Sequence, residues 1–468
     1  MRKTKIVATI GPASNSAETI AALIKEGMDV ARLNFSHSTH LEHGKKIKLI
    51  RRIASEMDRH IAVLQDLAGP KIRVGLIPEP GIMLQPGEKF VLTSRLVVGN
   101  RAVVSLSYPD LPKEVKKGDR LLLADGLMEL VVLDTNGQDI ACRVITGGQL
   151  TSHKGINLPT GTISASSFTD KDRQDLLFGL KSDVDYIALS FVKTADDIGL
   201  VKELINEKGK DTPVIAKIEK HEAIENLDAI IDIADGIMVA RGDLGVEIPP
   251  EDVPLLQKMI IQKANCAGKP VITATQMLRS MTDAPRPTRA EAADVANAVL
   301  DGTDALMLSE ETATGSYPVE AVAFMHRLAL TAESGLCCDS FLRPMQDRDI
   351  STSVAQASCM LAANLEAKAI VAHTQSGQTA RHISRFRPGQ PLIVLSANKT
   401  TCQRLALSWG CQPYLIAPPR NTDGMIEKAV RVAREICQLG KGDIVVITMG
   451  HPIGKSGTTN MVRVKKIQ

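Results

Sequence analysis

Polar side chains of the kinds used in catalytic sites stand directly after short apolar runs of this sequence. In PVIAKIE, Lys217 and Glu219 lie two positions apart, so on a strand both would point to the same face. In MVARGDLGVEIP, the tripeptide Arg241-Gly242-Asp243 follows another apolar run. The tripeptide has two interpretations: an adhesion ligand on an extracellular loop, or a carboxylate at the rim of an active site. The kind of chain that carries it decides between them.

The composition indicates a soluble globular chain with large cores. The 468 residues are 44% hydrophobic and 23% charged, and the net charge of +3 gives no reason to expect nucleic acid or an anionic membrane as partner. The basic N-terminus precedes an apolar run too short for a signal peptide, and no stretch has the length of a membrane span. The eight cysteines are scattered without metal-site spacing. We therefore expect a cytoplasmic protein, which disfavours adhesion.

The elements that must position the polar residues follow a β/α rhythm. Continuous apolar runs alternate with amphipathic segments of helix length, and runs without alternation indicate strands buried on both faces of a parallel sheet. Eight such units predict a (β/α)₈ barrel. The runs cover residues 5–11, 30–36, 61–69, 185–192, 213–219, 236–243, 270–276 and 305–312.

Two further regions depart from this rhythm. Residues 70–166 are rich in turn residues and short alternating runs, which predicts a small β-barrel domain inserted in a barrel loop. Residues 345–468 alternate again and predict a C-terminal open α/β domain. The barrel itself is then expected to comprise residues 1–69 and 167–344.

Polar residues and one glycine occur at the C-terminal ends of seven of the eight predicted barrel strands, where barrel enzymes build their active sites. These residues are Arg32, Asn34, Ser36, Asp66, Ser190, Lys217, Glu219, Gly242, Asp243, Thr275, Ser309 and Glu311.

Long motifs of the sequence, in order, strongly resemble pyruvate kinase. They are KIVATIGPAS, VARLNFSH, DLAGPKIR, KGINLP, VIAKIEKHEAI, IMVARGDLGVEIP, ITATQML and PTRAEAADVANAVLDGTDALMLSEETATGSYPVEAV. The resemblance covers essentially the whole chain. It implies transfer of the phosphoryl group of phosphoenolpyruvate to ADP, giving pyruvate and ATP.

The resemblance implies a divalent metal site at Glu219 and Asp243. Two carboxylates supply the hard oxygen ligands that Mg²⁺, or Mn²⁺, prefers, with substrate oxygens completing the coordination. A salt bridge between Glu219 and Lys217 is a structural alternative, which leaves Asp243 unexplained.

The catalytic set implied by the resemblance is Lys217, Arg32 and Thr275. The Lys217 ammonium would neutralise charge on the transferred phosphoryl group and then on the enolate, and Arg32 would hold the phosphate. The backbone N–H groups of Gly242 and Asp243 would bind the substrate carboxylate. Thr275 would lie near the face where C3 of the enolate is protonated, with a water chain as the expected donor.

The nucleotide contacts implied by the resemblance are Asn34, Ser36 and His37 in LNFSH, together with Arg73 and Lys154. The last two residues lie at opposite ends of the inserted domain. Closure of that domain as a lid would bring both cations onto the phosphates of ADP or ATP.

One position departs from a common pattern of the family. Many members read DTKGPEIR and need K⁺ near that glutamate, whereas this chain has Leu67 and Lys71 at the threonine and glutamate positions. An ammonium near Asn34, Ser36 and Asp66 would replace the monovalent ion, so we expect no K⁺ requirement. The alternative is that Lys71 points to solvent.

Two C-terminal loops are candidates for binding a phosphorylated sugar or nucleotide as an allosteric effector. They match the effector loops of the family, although their hydroxyls would also suit helix caps. The residues are Thr374, Ser376, Gly377, Thr379, Ser456, Gly457 and Thr458.

Two other functions stay open at this point. A Mg²⁺-dependent lyase or aldolase acting on a pyruvate enolate would also suit a barrel with paired carboxylates, but would not need the nucleotide contacts. An adhesion or effector-sensing protein would need no catalysis. The resemblance also implies a homotetramer.

Overall fold

The structure is a computed structural model that describes residues 1–159, 161, 164–337, 341, 349–419, 421–452 and 457–468. Its strands, in chain order, are β1 (Lys5–Thr9), β2 (Val30–Asn34), β3 (Ala62–Asp66), β4 (Ile82–Leu84), β5 (Lys89–Thr93), β6 (Val103–Ser105), β7 (Arg120–Leu123), β8 (Met128–Thr135), β9 (Asp139–Thr146), β10 (Gly148–Leu150), β11 (Ile156–Asn157), β12 (Tyr186–Leu189), β13 (Val214–Ile218), β14 (Gly236–Ala240), β15 (Val271–Ala274), β16 (Ala305–Leu308), β17 (Ala369–His373), β18 (Leu392–Ser396), β19 (Cys411–Leu415), β20 (Ile444–Gly450) and β21 (Thr459–Lys466).

The α-helices of the described residues alternate with the barrel strands and flank the C-terminal sheet. They are α1 (Ala17–Glu26), α2 (His40–Glu56), α3 (Leu111–Glu114), α4 (Asp170–Lys181), α5 (Ala195–Glu207), α6 (His221–Glu225), α7 (Leu227–Ile233), α8 (Arg241–Glu247), α9 (Val253–Cys266), α10 (Arg289–Leu300), α11 (Glu310–Ala313), α12 (Pro318–Glu333), α13 (Ile350–Asn364), α14 (Gln378–Ser384), α15 (Lys399–Leu405) and α16 (Thr422–Cys437). No helix among these combines the length and apolar character needed to cross a membrane.

The eight predicted barrel runs all form strands of one closed parallel barrel, in the order β1-β16-β15-β14-β13-β12-β3-β2. The strands are apolar on both faces because one face fills the barrel interior and the other packs against the surrounding helices. Val7, Met238 and Ile272 belong to the interior cluster, and each is fully buried. The predicted (β/α)₈ barrel is confirmed.

Caps at helix termini explain where the barrel helices begin and end. The Thr39 side chain accepts a hydrogen bond from the N–H of Glu42, and the Glu42 carboxylate accepts one from the N–H of Thr39. This reciprocal box starts α2. Helix α1 is capped by Ser16 at its N-terminus and by Gly27 at its C-terminus, and the φ of +118° at Gly27 is a conformation that favours glycine.

The insertion between β3 and β12 forms a small β-barrel. Its six-stranded sheet has the order β11-β7-β8-β9-β5-β6, and a two-stranded sheet of β10 and β4 lies beside it. Arg73 pairs with Gly155 next to β11, and Val74 pairs with Leu106 next to β6. One segment therefore joins both edges of the sheet and closes it. The predicted inserted β-barrel is confirmed.

The C-terminal sheet, comprising β17 to β21, has the order β19-β18-β17-β20-β21 with β21 antiparallel to β20. Helices α13 and α14 cover one face and α16 covers the other. Leu407, which follows α15, packs into the interior cluster of the barrel. The hydroxyl of Tyr186 on β12 donates to the Arg404 carbonyl at 2.8 Å. The C-terminal sheet is thus joined to the N-terminal end of the barrel.

Candidate active site at the mouth of the barrel

Lys217 is the centre of a buried polar cluster at the C-terminal ends of β3, β12 and β13. Its Nζ donates to Ser190 Oγ at 2.7 Å and lies 2.9 Å from Glu219 Oε1 and 3.2 Å from Asp66 Oδ1. Ser190 Oγ in turn donates to the Leu67 carbonyl at 2.7 Å. The cluster holds the ammonium in one position, and the salt bridge between Lys217 and Glu219 that the sequence left open is present.

Arg32 joins the same cluster through Asp66. The Arg32 Nε donates to Asp66 Oδ2 at 2.6 Å, and its Nη1 donates to Thr9 Oγ1 at 2.9 Å. Asp66 therefore lies between two cations that come from different strands. These contacts fix the guanidinium at the mouth of the barrel while its remaining N–H groups stay available to a ligand.

The electrostatics of the cluster follow from burial and mutual charge. Burial alone would lower the pKa of Lys217, but the carboxylates of Asp66 and Glu219 outweigh it and hold that pKa above its ordinary value. Burial would raise the pKa of Asp66, yet the cations of Lys217 and Arg32 lower it. Lys217 and Asp66 are thus held as charged groups in a buried site.

The Arg-Gly-Asp tripeptide lies in helix α8, not in the sixth strand, which ends at Ala240. This corrects the sequence-based expectation that Gly242 and Asp243 end the strand. The chain turns into a helix directly after the apolar run, and the N–H of Ile248 closes that helix on the Leu244 carbonyl. The tripeptide stands at the start of this helix, at the barrel mouth.

The arginine of the tripeptide is anchored within the protein. Arg241 Nη1 pairs with Asp294 at 2.7 Å, and its Nη2 donates to the Thr275 carbonyl at 2.9 Å. The side chain is 13% exposed. A guanidinium held in this way is not displayed for a receptor, so the adhesion interpretation loses its physical basis.

Thr275 adopts a strained backbone next to Gly242. Its φ is +72°, which a β-branched residue rarely adopts and which is typical of functional sites. The N–H of Gly242 donates to Thr275 Oγ1 at 2.7 Å, so this N–H already has a partner within the protein. A Cβ at Gly242 would lie 3.3 Å from that oxygen, which leaves little space for a side chain. The two residues form one wall of the mouth.

The carboxylates of Glu219 and Asp243 fit a divalent metal of the Mg²⁺ type. Burial raises the pKa of Glu219, and the negative charge of Asp243 raises it further, although Lys217 lowers it. A divalent cation between the two carboxylates would relieve their repulsion. Mg²⁺ keeps several waters and takes one or two protein carboxylates, so two carboxylates match the set of protein ligands that it needs.

The predicted nucleotide residues lie in two groups. In the first, Asn34 is half-buried at the end of β2, its Oδ1 accepts from the N–H of Ser36 at 3.1 Å, and Ser36 and His37 are exposed. In the second, the antiparallel bridge of Arg73 with Gly155 places Arg73 beside Lys154. Arg73 Nη1 also donates to the carbonyl of His153, the residue before Lys154. The fold thus brings Arg73 and Lys154 together despite their distance in the sequence.

Lys71 faces the site, not solvent. Its Nζ lies 3.4 Å from Asp243 Oδ1 and 3.6 Å from Asp125 Oδ1, and its side chain is 28% exposed. These two contacts are the ion pairs of Lys71 among the described residues. The structure therefore places Lys71 against Asp243, the candidate metal ligand, whereas the sequence-based expectation placed it near Asn34 and Ser36. Lys71 thereby links the inserted β-barrel to the barrel mouth.

The two predicted effector loops lie side by side on the C-terminal sheet. Thr374 Oγ1 accepts from the N–H of Gly377, and Thr379 Oγ1 is 2.7 Å from Thr459 Oγ1, next to Thr458. A Cβ at Gly457 would lie 3.6 Å from the Gln378 side chain, which places that loop at the start of α14. Ser376 is exposed, and Ser456 lies outside the described residues.

The sequence did not identify the roles of Asp66, Ser190 and Thr9. Asp66 pairs with both Arg32 and Lys217, and Ser190 makes the shortest contact of the Lys217 ammonium. Asp66 and Ser190 carried a signal, since each ends a predicted barrel strand. Thr9 carried none, because a threonine in an apolar strand is typical of many proteins.

The fold and this site define a barrel enzyme with fixed cations and carboxylates at the C-terminal mouth of its barrel, an arrangement that suits an anionic substrate. Comparison with known proteins agrees. Residues 1–322 match the family model described as pyruvate kinase, barrel domain, and residues 352–465 match that described as pyruvate kinase, alpha/beta domain. The chain belongs to the pyruvate kinase family and is an enzyme of that class.

Individual relatives cover the whole chain. It is 48% identical over 475 residues to pyruvate kinase 2 of Synechocystis sp., covering 100% of this chain and 80% of the relative. It is 44% identical over 473 residues to the pyruvate kinase of Clostridium acetobutylicum, covering both chains fully. The solved structure of a pyruvate kinase from Cryptosporidium parvum superposes with a TM-score of 0.94 at 38% identity, covering 100% of this chain and 96% of that chain.

Proposed function

We propose that the protein transfers the phosphoryl group of phosphoenolpyruvate to ADP, with Lys217 and Arg32 as its principal cations. The observation that carries this proposal is the convergence of both cations on Asp66 at the barrel mouth, beside the carboxylate of Glu219. Positioning and charge stabilisation supply most of the catalysis in phosphoryl transfer, and this cluster provides both.

Arg32 would hold the substrate phosphate, and Lys217 would neutralise the oxygen that becomes the enolate. The substrate carboxylate would lie against α8, at the N–H groups of Gly242 and Asp243. Because the N–H of Gly242 already donates to Thr275 Oγ1, substrate binding would have to exchange that hydrogen bond. The Thr275 hydroxyl, which donates to the Ala274 carbonyl at 2.6 Å, would lie near the face where C3 takes up a proton from a water chain.

Glu219 and Asp243 would hold Mg²⁺ or Mn²⁺. When bound, the ion supplies positive charge to the oxygens of the substrate. The pairing of Lys71 with Asp243 holds that carboxylate at the mouth, and Lys217 and the N–H of Phe191 hold Glu219. Removal of divalent ions with EDTA is expected to abolish turnover, and MgCl₂ is expected to restore it.

ADP would bind between Asn34, Ser36 and His37 on one side and Arg73 and Lys154 on the other. The second group belongs to the inserted β-barrel, so closure of that barrel as a lid would place both cations on the nucleotide phosphates and exclude water.

Lys71 would make K⁺ unnecessary. Its ammonium supplies a fixed positive charge at the mouth, supported by the contact with Asp243 at 3.4 Å. Turnover is measured in K⁺-free buffer and again with added KCl. Equal rates are expected, and strong activation by K⁺ would refute this part of the proposal.

The loops around Thr374 and Gly457 would bind a phosphorylated sugar or nucleotide and activate the enzyme. The two loops lie next to each other at the start of α14, which supports this assignment. The first loop would contribute Ser376, Gly377 and Thr379. The second would contribute Thr458 and, by the family pattern, Ser456. Saturation curves for phosphoenolpyruvate that do not change across a panel of such compounds would contradict it.

At the level of whole domains, we assign residues 1–69 and 167–344 to the catalytic barrel, 70–166 to the lid and 345–468 to a regulatory domain. We also propose a homotetramer that acts in the cytoplasm in glycolysis.

The deciding experiment couples pyruvate formation to lactate dehydrogenase and follows NADH absorbance with and without ADP. The proposal expects pyruvate only when ADP and Mg²⁺ are both present, and a loss of about a hundred- to a thousandfold in kcat for Lys217→Met. Pyruvate formation without ADP would instead favour a lyase. The exposed Lys45→Met variant on α2 serves as the matched control and is expected to retain full activity.

A further inference from the structure

The helix that carries Asp243 is intrinsically weak and is held at its two ends. Helix α8 has seven residues, and two of them, Gly242 and Gly245, destabilise a helix because glycine loses more backbone freedom on folding than other residues. A helix this short is marginal without contacts to the rest of the fold. Its start is anchored by Arg241, which pairs with Asp294. The position of Asp243 therefore depends on what holds the other end.

The other end is held by Glu247, the last residue of α8. Its side chain is fully buried, and its Oε1 lies 2.8 Å from Lys220 Nζ and accepts a hydrogen bond from Asn157 Nδ2 at 2.9 Å. Its Oε2 is buried without a hydrogen-bond partner. The side chain of Lys220 is only 9% exposed, so the ammonium compensates the carboxylate away from solvent. The end of α8 is thus fixed through one buried, charged oxygen.

Both candidate metal ligands lie beyond the strand pairing that would fix their separation. The pairing of β13 with β14 ends at Ile218 and Val239, whereas Glu219 follows the first strand and Asp243 lies in α8. The ion pair of Asp243 with Lys71, at 3.4 Å, comes from the inserted β-barrel and does not tie Asp243 to β13. Another contact must set the distance between the two carboxylates.

The ion pair of Lys220 with Glu247 supplies this contact. Lys220 directly follows Glu219 in the chain, and Glu247 stands four positions after Asp243, on the same face of α8. The pair therefore links the residue next to one carboxylate with the residue one helical turn from the other. Because both side chains are buried, salt screens the pair little, and it holds the two segments at a set distance.

We propose that Lys220 and Glu247 are positioning residues that hold Glu219 and Asp243 at the separation a divalent cation needs. The inference rests on the proposed metal site and adds residues outside the ligand pair. Loss of a group that orients metal ligands weakens metal binding about 10- to 100-fold. Charge alone predicts the opposite sign, because removal of an ammonium next to Glu219 would reduce the repulsion of a cation. The direction of the change therefore separates positioning from simple electrostatics.

The test is Mn²⁺ binding to the intact protein without substrates, followed through the electron paramagnetic resonance signal of free Mn²⁺. Lys220→Met is expected to weaken binding about tenfold or more. The double variant Lys220→Met with Glu247→Leu leaves no unpaired buried charge, so it is expected to fold even where the single variant is destabilised, and to lose affinity to the same extent. Unchanged or tighter binding in Lys220→Met, or unchanged binding in the double variant, would overturn the proposal.

The matched control is Lys202→Met, which breaks the ion pair of Lys202 with Asp235 directly before β14, at the opposite end of the barrel. It should bind Mn²⁺ as the unmodified protein does, and an equal loss there would also overturn the proposal.

Glu219→Gln tests the proposed metal site itself. If this variant binds Mn²⁺ as the unmodified protein does, the metal site is wrong and the inference fails with it. If Glu219→Gln loses binding but the Lys220 variants do not, the inference alone fails. In the coupled assay, the loss in Lys220→Met should appear mainly in the Mg²⁺ concentration for half-maximal rate and less in kcat.

Discussion

Ser190→Ala tests whether the position of the Lys217 ammonium, and not only its charge, drives phosphoryl transfer. Ser190 Oγ makes the shortest of the three contacts of Lys217 Nζ, at 2.7 Å against 2.9 Å for Glu219 and 3.2 Å for Asp66. A hydrogen bond to a charged group contributes about 1.5–3 kcal/mol. If all of this hydrogen-bond energy stabilises the transition state, its loss lowers kcat roughly 10- to 150-fold.

The assay is the lactate dehydrogenase-coupled rate, with kcat and KM for phosphoenolpyruvate determined separately. We expect the loss mainly in kcat, because Arg32 keeps its contacts with Asp66 and Thr9 and so retains the phosphate. Ser190→Thr keeps the hydroxyl oxygen and is expected to recover most of the activity. A kcat for Ser190→Ala within twofold of the unmodified enzyme, with circular dichroism unchanged, would refute the positional argument.

Three further predictions concern other parts of the molecule. Lys71→Glu should make turnover depend on K⁺, with activation of at least about tenfold by KCl, whereas Lys71→Met should not respond; an equal response of both variants would contradict the assignment. Asp304→Asn should lower the free energy of unfolding in urea by about 3–5 kcal/mol, because it leaves the fully buried Arg387, paired at 2.8 Å, without its counter-charge. An effect below about 1 kcal/mol would show that the pair is compensated. Burial would raise the pKa of Asp29, but Arg2 and a neighbouring lysine hold it below its ordinary value. The charged Asp29 carboxylate therefore stabilises the fold fully above about pH 4, and this stabilisation is lost as the pH falls through the lowered pKa. The free energy of unfolding in urea should therefore change less between pH 5.5 and pH 3 in Asp29→Asn than in the unmodified protein.

Much of the architecture could be predicted because burial on both faces leaves a direct mark on the sequence. Each barrel strand reads as a continuous apolar run, and the alternation of these runs with amphipathic helices defines a barrel before any coordinates are known. The same logic placed Lys217 and Glu219 on one side of the chain at the end of β13, and in the structure Lys217 Nζ lies 2.9 Å from Glu219 Oε1. Local spacing was sufficient there because both residues belong to one strand and the turn after it.

Contacts between residues far apart in the chain could not be predicted in this way. The pairing of Lys71 with Asp243 depends on how the inserted β-barrel sits on the barrel mouth, and the role of Ser190 depends on the distance between two neighbouring strands. The helical start of α8 at Arg241 depends on where the polypeptide can turn once it leaves the strand. These outcomes follow from three-dimensional packing, which no local pattern encodes.

The sequence by itself determined the class of fold, the family and which side chains would face the mouth of the barrel, because hydrophobic periodicity and residue type are local properties. Only the tertiary structure decided which of those side chains share a partner, as Arg32 and Lys217 share Asp66. The physical reason is that electrostatic energy depends on distance and burial, and both arise when segments separated by hundreds of residues pack together.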